Sequence, residues 1–201
     1  LFEHCKSGFL NEAKTLYTFR GDPTIVNVND YFEENHSAYF VMEYLDGCNM
    51  RAQMQKSGGR IPVEMATIML VTVGSALMDV HKFNILHRDI SPENIFLTSN
   101  GSYKLIDFGA ARFFTSRANK SLSVLLKPGF APPEQYSSKG NQGPWTDVYG
   151  LAATYYYLVS GVKPLDAMDR LSGKPMAALC DLCHGVSKKT SDAVNRALAL
   201  D

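Results

Sequence analysis

The motif HRDISPEN at residues 87–94 is followed, after twelve residues, by DFG at residues 107–109. Phosphoryl transfer needs a carboxylate that orients the attacking hydroxyl and accepts its proton, and oxygen ligands that hold Mg²⁺ against the phosphates. Asp89 can be that carboxylate, whereas Asn94 and Asp107 carry the amide and carboxylate oxygens that suit a hard cation. A turn holding Asp89 and Asn94, with a hairpin that returns the chain to Asp107, would bring the three side chains together. The spacing therefore favours phosphoryl-transfer chemistry.

The residues around the two motifs predict an α+β fold with two unequal lobes. Before the motifs, apolar spacing predicts a helix over residues 8–19 and strands over 25–32 and 38–44. From Asp46-Gly47 onward the pattern is mainly helical. The segments predicted there are helices over 62–83, 147–160 and 191–201, a hairpin with strands over 94–98 and 103–106, and a long loop over 107–136. We expect the lobes to join near residues 45–47.

Composition and charge narrow the classes of partner. Of the 201 residues, 45% are hydrophobic and 20% are charged, which is typical of a globular chain with a real core. Twenty basic residues balance twenty acidic ones, so charge gives no reason to expect nucleic acid or an anionic membrane as a partner. The nearly apolar stretch from Ile61 to Val80 contains Glu64 and Asp79 and alternates faces, so a buried helix without membrane contact is favoured.

The cysteines suggest a reducing compartment and leave one local pattern to interpret. Four cysteines are too few and too scattered for a disulfide scaffold, so we expect a cytoplasmic location. The run from Cys180 to His184 matches the CxxCH spacing of covalent haem attachment. Haem would need an exported protein and a second axial ligand, and zinc would need another Cys or His pair. A surface helix that carries this spacing by chance is the favoured interpretation.

Two further segments complete a resemblance to a known family. PGFAPPE at residues 128–134 resembles the end of an activation segment, and TDVYGLAATYYYLVSG at residues 146–161 resembles a buried helix of the same family. With HRD and DFG in this order, the chain resembles eukaryotic-type serine/threonine protein kinases of bacterial type. The resemblance implies the two-lobed kinase fold. Residues 1–46 would be a partial small lobe and hinge, and residues 47–201 a large lobe truncated before its last helices.

The resemblance assigns catalytic roles to the motif residues. Asp89 would be the catalytic base, and Asn94 and Asp107 would hold Mg²⁺. Glu12, within FLNEAKTL, resembles the helix glutamate that pairs with a strand lysine on the ATP phosphates. Asp147 would cap the backbone of the catalytic loop, although an Asp at a helix start is also a common N-cap, and both interpretations can hold.

The segment YFVMEYL at residues 39–45 resembles the last small-lobe strand and the hinge of the family. ATP would then bind with Met42 as gatekeeper, with the backbones of Glu43 and Leu45 facing adenine, with Asn49 nearby and with Phe96 as the floor. The positions where the family stacks its regulatory spine are Leu16, Val28, His87 and Phe108, which plain core packing would also explain.

Two departures from the family pattern concern the catalytic loop. The family's serine/threonine branch has Lys two residues after the catalytic Asp, where this chain has Ser91, and Thr or Ser before the Pro-Gly of the activation segment, where it has Lys127. We hypothesise that the two residue types are exchanged and that Lys127 supplies the missing cation from the opposite side. The alternative is a solvated Lys127 and a tolerated loss at Ser91.

The resemblance implies an enzyme that transfers the γ-phosphoryl group of Mg-ATP to Ser or Thr in protein substrates. Arg88 suggests control by activation-loop phosphorylation, because an arginine can pair with a phosphate. The candidate acceptors are Thr115, Ser116, Ser121 and Ser123.

Two alternatives stay open. A pseudokinase or scaffold is favoured by Ser91 and opposed by the intact motifs. A small-molecule phosphotransferase is opposed by the Pro-Pro-Glu segment and by Asp147.

The chain does not begin with Met. Residues 1–201 contain neither the glycine-rich loop nor the strand lysine that the family places before the helix of Glu12. They also end before the late arginine that usually pairs with Glu134. We therefore expect a longer parent protein and an inactive isolated segment.

Overall fold

A computed structural model describes residues 2–108, 112–113, 126–137 and 139–200. Its helices and three small sheets confirm the predicted α+β class. In chain order the elements are α1 (Phe2–Thr18), β1 (Val28–Glu34), β2 (Ser37–Met42), β3 (Gly47–Asn49), α2 (Met50–Lys56), α3 (Val63–Lys82), β4 (Ile85–Leu86), β5 (Ile95–Thr98), β6 (Tyr103–Leu105), β7 (Arg112–Phe113), a 3₁₀ turn (Pro133–Tyr136), α4 (Pro144–Ser160), α5 (Ala167–Leu171), α6 (Leu179–Leu182) and α7 (Lys188–Ala197).

Helix α1 packs on the antiparallel hairpin of β1 and β2. Leu16, on the inner face of α1, is buried. The ring centroids of Phe9 on α1 and Phe40 on β2 lie 4.6 Å apart. The turn residues Asn35 and His36 both have left-handed backbones, with φ of 50° and 60°. A two-residue hairpin loop needs that conformation because it matches the twist of the strands. The helix begins six residues earlier than the apolar spacing predicted.

The sheet β3-β5-β6 carries the chain from the catalytic loop back to DFG. The predicted hairpin of β5 and β6 is confirmed, with Ile95 opposite Leu105. Leu105 also forms a parallel bridge with Ile25, and its carbonyl oxygen accepts the N–H of Val26 at 3.1 Å. Strand β1 therefore begins at Val28 rather than at Ile25, because Ile25 and Val26 pair with Leu105 of β6.

Helix α4 is the centre of the helical part. Every residue from Tyr149 to Ser160 is buried, and α3 packs along one side of the helix. Among the described helices, α3 alone is long and apolar enough to cross a membrane by length and composition. Its inner face, which includes Met69 and Val73, is buried in the core. That packing supports the predicted core helix.

Several short elements were not predicted. β3, β4 and β7 are two or three residues long, which is too short for a periodic pattern to be recognised. Because β3 pairs with β5, the predicted hairpin of β5 and β6 is part of a three-stranded sheet. Helix α4 begins at Pro144, three residues before the predicted start, and α7 begins at Lys188, also three residues early. The Cys180 to His184 run overlaps the short helix α6, and no group of three potential metal ligands forms among the described residues.

Candidate active site

The predicted catalytic loop, residues 87–94, is anchored by the buried carboxylate of Asp147 on α4. One oxygen, Oδ2, accepts the backbone N–H of His87 at 2.9 Å, and Oδ1 accepts that of Arg88 at 2.7 Å. Nε2 of His81 lies 2.8 Å from Oδ2. The N-cap of α4 is Gly143, so the N-cap interpretation of Asp147 is wrong. The side chain instead holds the loop backbone, as the family resemblance implied.

Replacing Asp147 by Asn should lower the free energy of unfolding by about 1–3 kcal/mol. An amide NH₂ would replace one of the two carboxylate oxygens that accept the backbone N–H groups of His87 and Arg88. Denaturant unfolding of the variant measures the change. Asp79→Asn is the control, since it alters an exposed carboxylate paired with Lys82, and it should shift stability by less than about 0.5 kcal/mol. Equal stability of the Asp147 variant and the parent would contradict the anchoring role.

Asp89 and Asn94 are joined by two hydrogen bonds. Nδ2 of Asn94 donates to both Oδ2 and the backbone oxygen of Asp89, each at 2.7 Å. Because the amide nitrogen faces Asp89, the amide oxygen is the atom that Asn94 can offer to a cation. The N–H of Ile106 donates to the backbone oxygen of Asn94 at 3.0 Å, which ties Asp107 to this pair through its chain neighbour.

Lys127 lies in direct contact with the catalytic loop. Its Nζ donates to Oδ2 of Asp89 and to Oγ of Ser91, both at 2.8 Å. The Ser91 side chain is fully buried, whereas the Lys127 side chain is 32% exposed. The two residues that depart from the family pattern therefore touch each other.

Asp107 has a left-handed backbone, with φ of 62°. Asp and Asn adopt this conformation more easily than most residues. The next residue, Phe108, is buried, and its ring lies 4.5 Å from that of His87. Leu16 and Val28 are buried too, so all four predicted spine positions lie in the core. The third residue of DFG, Gly109, lies outside the described residues.

The carboxyl group of Glu12 lies close to Asp107. Burial and the negative charge of Asp107 raise the pKa of Glu12 to about 7, although the backbone N–H of Phe108 donates to it and acts in the opposite direction. No cationic side chain of the described residues forms an ion pair with Glu12. A cation placed beside this carboxyl group would favour its charged form and lower its pKa.

A cavity of about 570 Å³ lies between residues 42–45, the predicted hinge segment, and the carboxyl-bearing residues Glu12 and Asp107. The residues that line it are Glu12, Leu16, Val26, Met42, Glu43, Tyr44, Leu45, Phe96, Ile106 and Asp107. This set brings together four of the five residues assigned to the nucleotide. Asn49 is not in the wall: its side chain accepts the N–H of Ala52 at 2.9 Å and so caps α2. A nucleotide contact of Asn49 stays a prediction.

Glu43, in the predicted hinge segment, forms an ion pair with β6 that the sequence did not predict. Lys104 donates to Oε1 of Glu43 at 2.6 Å, and the N–H of Asn27 donates to the same oxygen at 2.7 Å. Burial alone would raise the pKa of Glu43, but these hydrogen bonds outweigh it and lower the pKa. The N–H of Glu43 donates to the backbone oxygen of Asn27. Because that N–H is already paired, the backbone group that Glu43 can offer to a ligand is its carbonyl oxygen.

Arg88 is held by residues that local sequence patterns did not reveal. Its Nε donates to Oε1 of Gln142 at 2.6 Å, and its backbone oxygen accepts Nε2 of Gln135 at 2.7 Å. The predicted phosphorylation sites Thr115, Ser116, Ser121 and Ser123 lie outside the described residues. Control of Arg88 by phosphorylation therefore stays a prediction.

Comparison with known proteins gives concordant matches. The protein kinase domain model matches residues 3–196. A protein of Clostridium perfringens named as a probable serine/threonine-protein kinase is 35% identical over 79% of this chain and 23% of its own length. Serine/threonine-protein kinase PrkC of Bacillus subtilis is 34% identical over 82% of this chain and 25% of its own length. PknA of Mycobacterium tuberculosis is 30% identical over 79% of this chain and 40% of its own length.

A solved structure titled PpkA-294 apo form superposes with a TM-score of 0.83 and 32% sequence identity, covering 99% of this chain and 70% of that one. The chain spans about a quarter to two fifths of the length of these curated relatives. The protein kinase domain model matches nearly all residues of this chain. This chain therefore belongs to the protein kinase domain family, and the relatives it matches are named as serine/threonine kinases.

Proposed function

We propose that the protein containing these residues transfers the γ-phosphoryl group of Mg-ATP to Ser or Thr hydroxyls of other proteins. The observation that carries the proposal is the position of Asp89. Its carboxylate is fixed by Asn94 and lies on the loop that the buried Asp147 anchors. A carboxylate fixed in this way can orient a hydroxyl and accept its proton as the oxygen attacks.

The donor set fits Mg²⁺. The amide oxygen of Asn94 and the carboxylate of Asp107 are the hard oxygen ligands that Mg²⁺ takes, usually together with waters and phosphate oxygens. When bound, the ion would neutralise charge on the phosphates during transfer. We assign Asn94 and Asp107 to this ion because β5, β6 and the bond from Ile106 to Asn94 hold their segments together.

The cavity supplies the proposed nucleotide site. Met42 and Phe96 give it apolar surface for the adenine ring, and the carbonyl oxygen of Glu43 can accept a hydrogen bond from the adenine amino group. Glu12 would receive the lysine that grips the phosphates, which would relieve the unfavourable charge beside Asp107. We also propose a division at residue 46, with the hinge between the lobes.

Among the cysteines whose side chains the structure describes, Cys48, Cys180 and Cys183 form no disulfide, which supports a cytoplasmic location for this part of the protein. We propose no nucleic-acid partner, since the net charge is zero.

The test uses the full-length gene product, because we expect residues 1–201 alone to lack turnover. Purified protein is incubated with Mg-ATP, radiolabelled on the γ-phosphate, and with peptides that contain Ser, Thr or Tyr. Magnesium-dependent label on Ser or Thr, at a rate of about one per second or more on a good substrate, is expected. ATP binding without transfer would favour the pseudokinase alternative suggested by Ser91. Label found only on small molecules would favour a small-molecule phosphotransferase.

A further inference from the structure

The geometry points to Lys127 as a catalytic cation, delivered to the transferring phosphoryl group from the activation segment and held in place by Ser91. This inference rests on the proposed kinase function and extends it. Nζ of Lys127 lies 2.8 Å from Oδ2 of Asp89, the carboxylate that would receive the proton of the substrate hydroxyl. A cation at this place adjoins both the attacking oxygen and the phosphoryl group that it attacks.

Ser91 explains why the ammonium group is directed to this point. The Ser91 side chain is fully buried, and its hydroxyl accepts a hydrogen bond from Lys127 Nζ at 2.8 Å. With two acceptors, one charged and one neutral, Nζ has a third N–H for a phosphate oxygen. An ammonium group needs no planar geometry to bind phosphate, because it acts as a point charge.

The backbone around Lys127 gives its long side chain a fixed base. Its carbonyl oxygen accepts the N–H groups of Phe130 and Ala131 at 3.0 and 3.2 Å, which closes a tight turn. Phe130 is buried and contacts the ring of Tyr157 on α4 at 5.9 Å between centroids. The segment that brings Lys127 to Asp89 is therefore packed on the same helix that anchors the catalytic loop through Asp147.

This arrangement makes the cation depend on the placement of the segment. A lysine two residues after Asp89 would belong to the loop itself and would be present in any state of the activation segment. Lys127 instead reaches the site only when residues 127–131 are seated on α4. Displacing this turn would remove the phosphate-facing charge while leaving Asp89, Asn94 and Asp107 in place.

The first test is Lys127→Met in the full-length protein, with the turnover number, the KM for ATP and the affinity for Mg-ADP measured together. We expect turnover to fall about 100-fold or more, comparable to removing one preorganised charge from a transition state, with Mg-ADP affinity nearly unchanged. Lys174→Met is the matched control, because it removes a lysine from an exposed 2.7 Å pair with Asp169 and should keep parental turnover.

Two measurements separate a catalytic role from a structural one. Affinity for Mg-ADP with aluminium fluoride, which mimics the phosphoryl group in transfer, should fall in Lys127→Met far more than affinity for Mg-ADP alone. The exchange variant Ser91→Lys with Lys127→Thr should recover much of the lost turnover. Full activity of Lys127→Met, or equal loss of affinity for both nucleotide complexes, would overturn the inference while leaving the kinase proposal intact. An inactive parent protein would overturn both.

Discussion

Replacing Asp107 by Asn should reduce phosphoryl transfer about a thousandfold or more, since a metal ion contributes several kcal/mol of charge stabilisation and each 1.4 kcal/mol is about tenfold in rate. The change removes the negative charge that would face Mg²⁺ in the proposed site while keeping the size of the side chain. Affinity for Mg-ATP should fall as well, because the ion would link the protein to the phosphates in the proposed site. Affinity for ATP measured without Mg²⁺ should change little.

The fold should survive this substitution. Asp107 is exposed and left-handed, and Asn is among the residues that tolerate such a backbone best. The thermal unfolding midpoint of the Asp107 variant should therefore match that of the parent. Asp192→Asn, at an exposed carboxylate of α7, is the control for loss of one surface charge and should keep full turnover. Turnover of Asp107→Asn close to that of the parent would remove Asp107 from the metal site.

The arrangement of the proposed site could be predicted because the chemistry proposed for it depends on residue types in a fixed order. Asp89, Asn94 and Asp107 were assigned from two motifs, and the hairpin that connects them followed from the turn at residues 99–102. The structure brings these segments together through β5 and β6. Lys127 and Ser91 could be paired only through the family pattern, since 36 residues separate them and neither lies in a periodic segment.

The side chains that form hydrogen bonds with the site residues were harder to predict. Gln142 on Arg88 and Lys104 on Glu43 are contacts between residues 54 and 61 positions apart. A polar side chain in a loop or strand gives no local sign of the residue that it will meet. The short strands could not be predicted from the sequence for a related reason. β3 has three residues, and its pairing with β5 depends on a neighbour supplied by the tertiary fold.

Of the two interpretations given for Asp147, the loop-capping one agrees with the structure and the N-cap one is wrong. An Asp near the start of a predicted helix is most simply interpreted as an N-cap. The helix in fact begins three residues earlier, which turns this carboxylate inward to the loop of His87 and Arg88. A buried carboxylate must find donors, and here the donors are backbone N–H groups that no sequence pattern marks.

Replacing Asp89 by Asn should separate the two halves of the reaction. Turnover should fall about 10²–10⁴-fold, the contribution typical of a positioned general base, because an amide cannot take the proton of the substrate hydroxyl. Affinity for Mg-ATP should stay close to that of the parent, since Asp89 would act on the hydroxyl side and Asp107 on the phosphate side. The side-chain oxygen of Asn can still accept the bond from Asn94, which preserves the loop.

The decisive comparison is between the Asp89 and Asp107 variants in one full-length preparation, with turnover and Mg-ATP affinity measured for each. Asp89→Asn should lose turnover alone, whereas Asp107→Asn should lose both. The lost charge at Asp89 leaves Lys127 without its anionic partner, but that ammonium group is about one third exposed and can be hydrated, so a folded variant is expected. If both variants weakened ATP binding equally and hardly changed turnover, the division of roles between Asp89 and Asp107 would be wrong. A loss of Mg-ATP affinity in Asp89→Asn as large as in Asp107→Asn would instead place Asp89 on the metal, because only a group that contacts the ion or its phosphates can change that affinity so strongly.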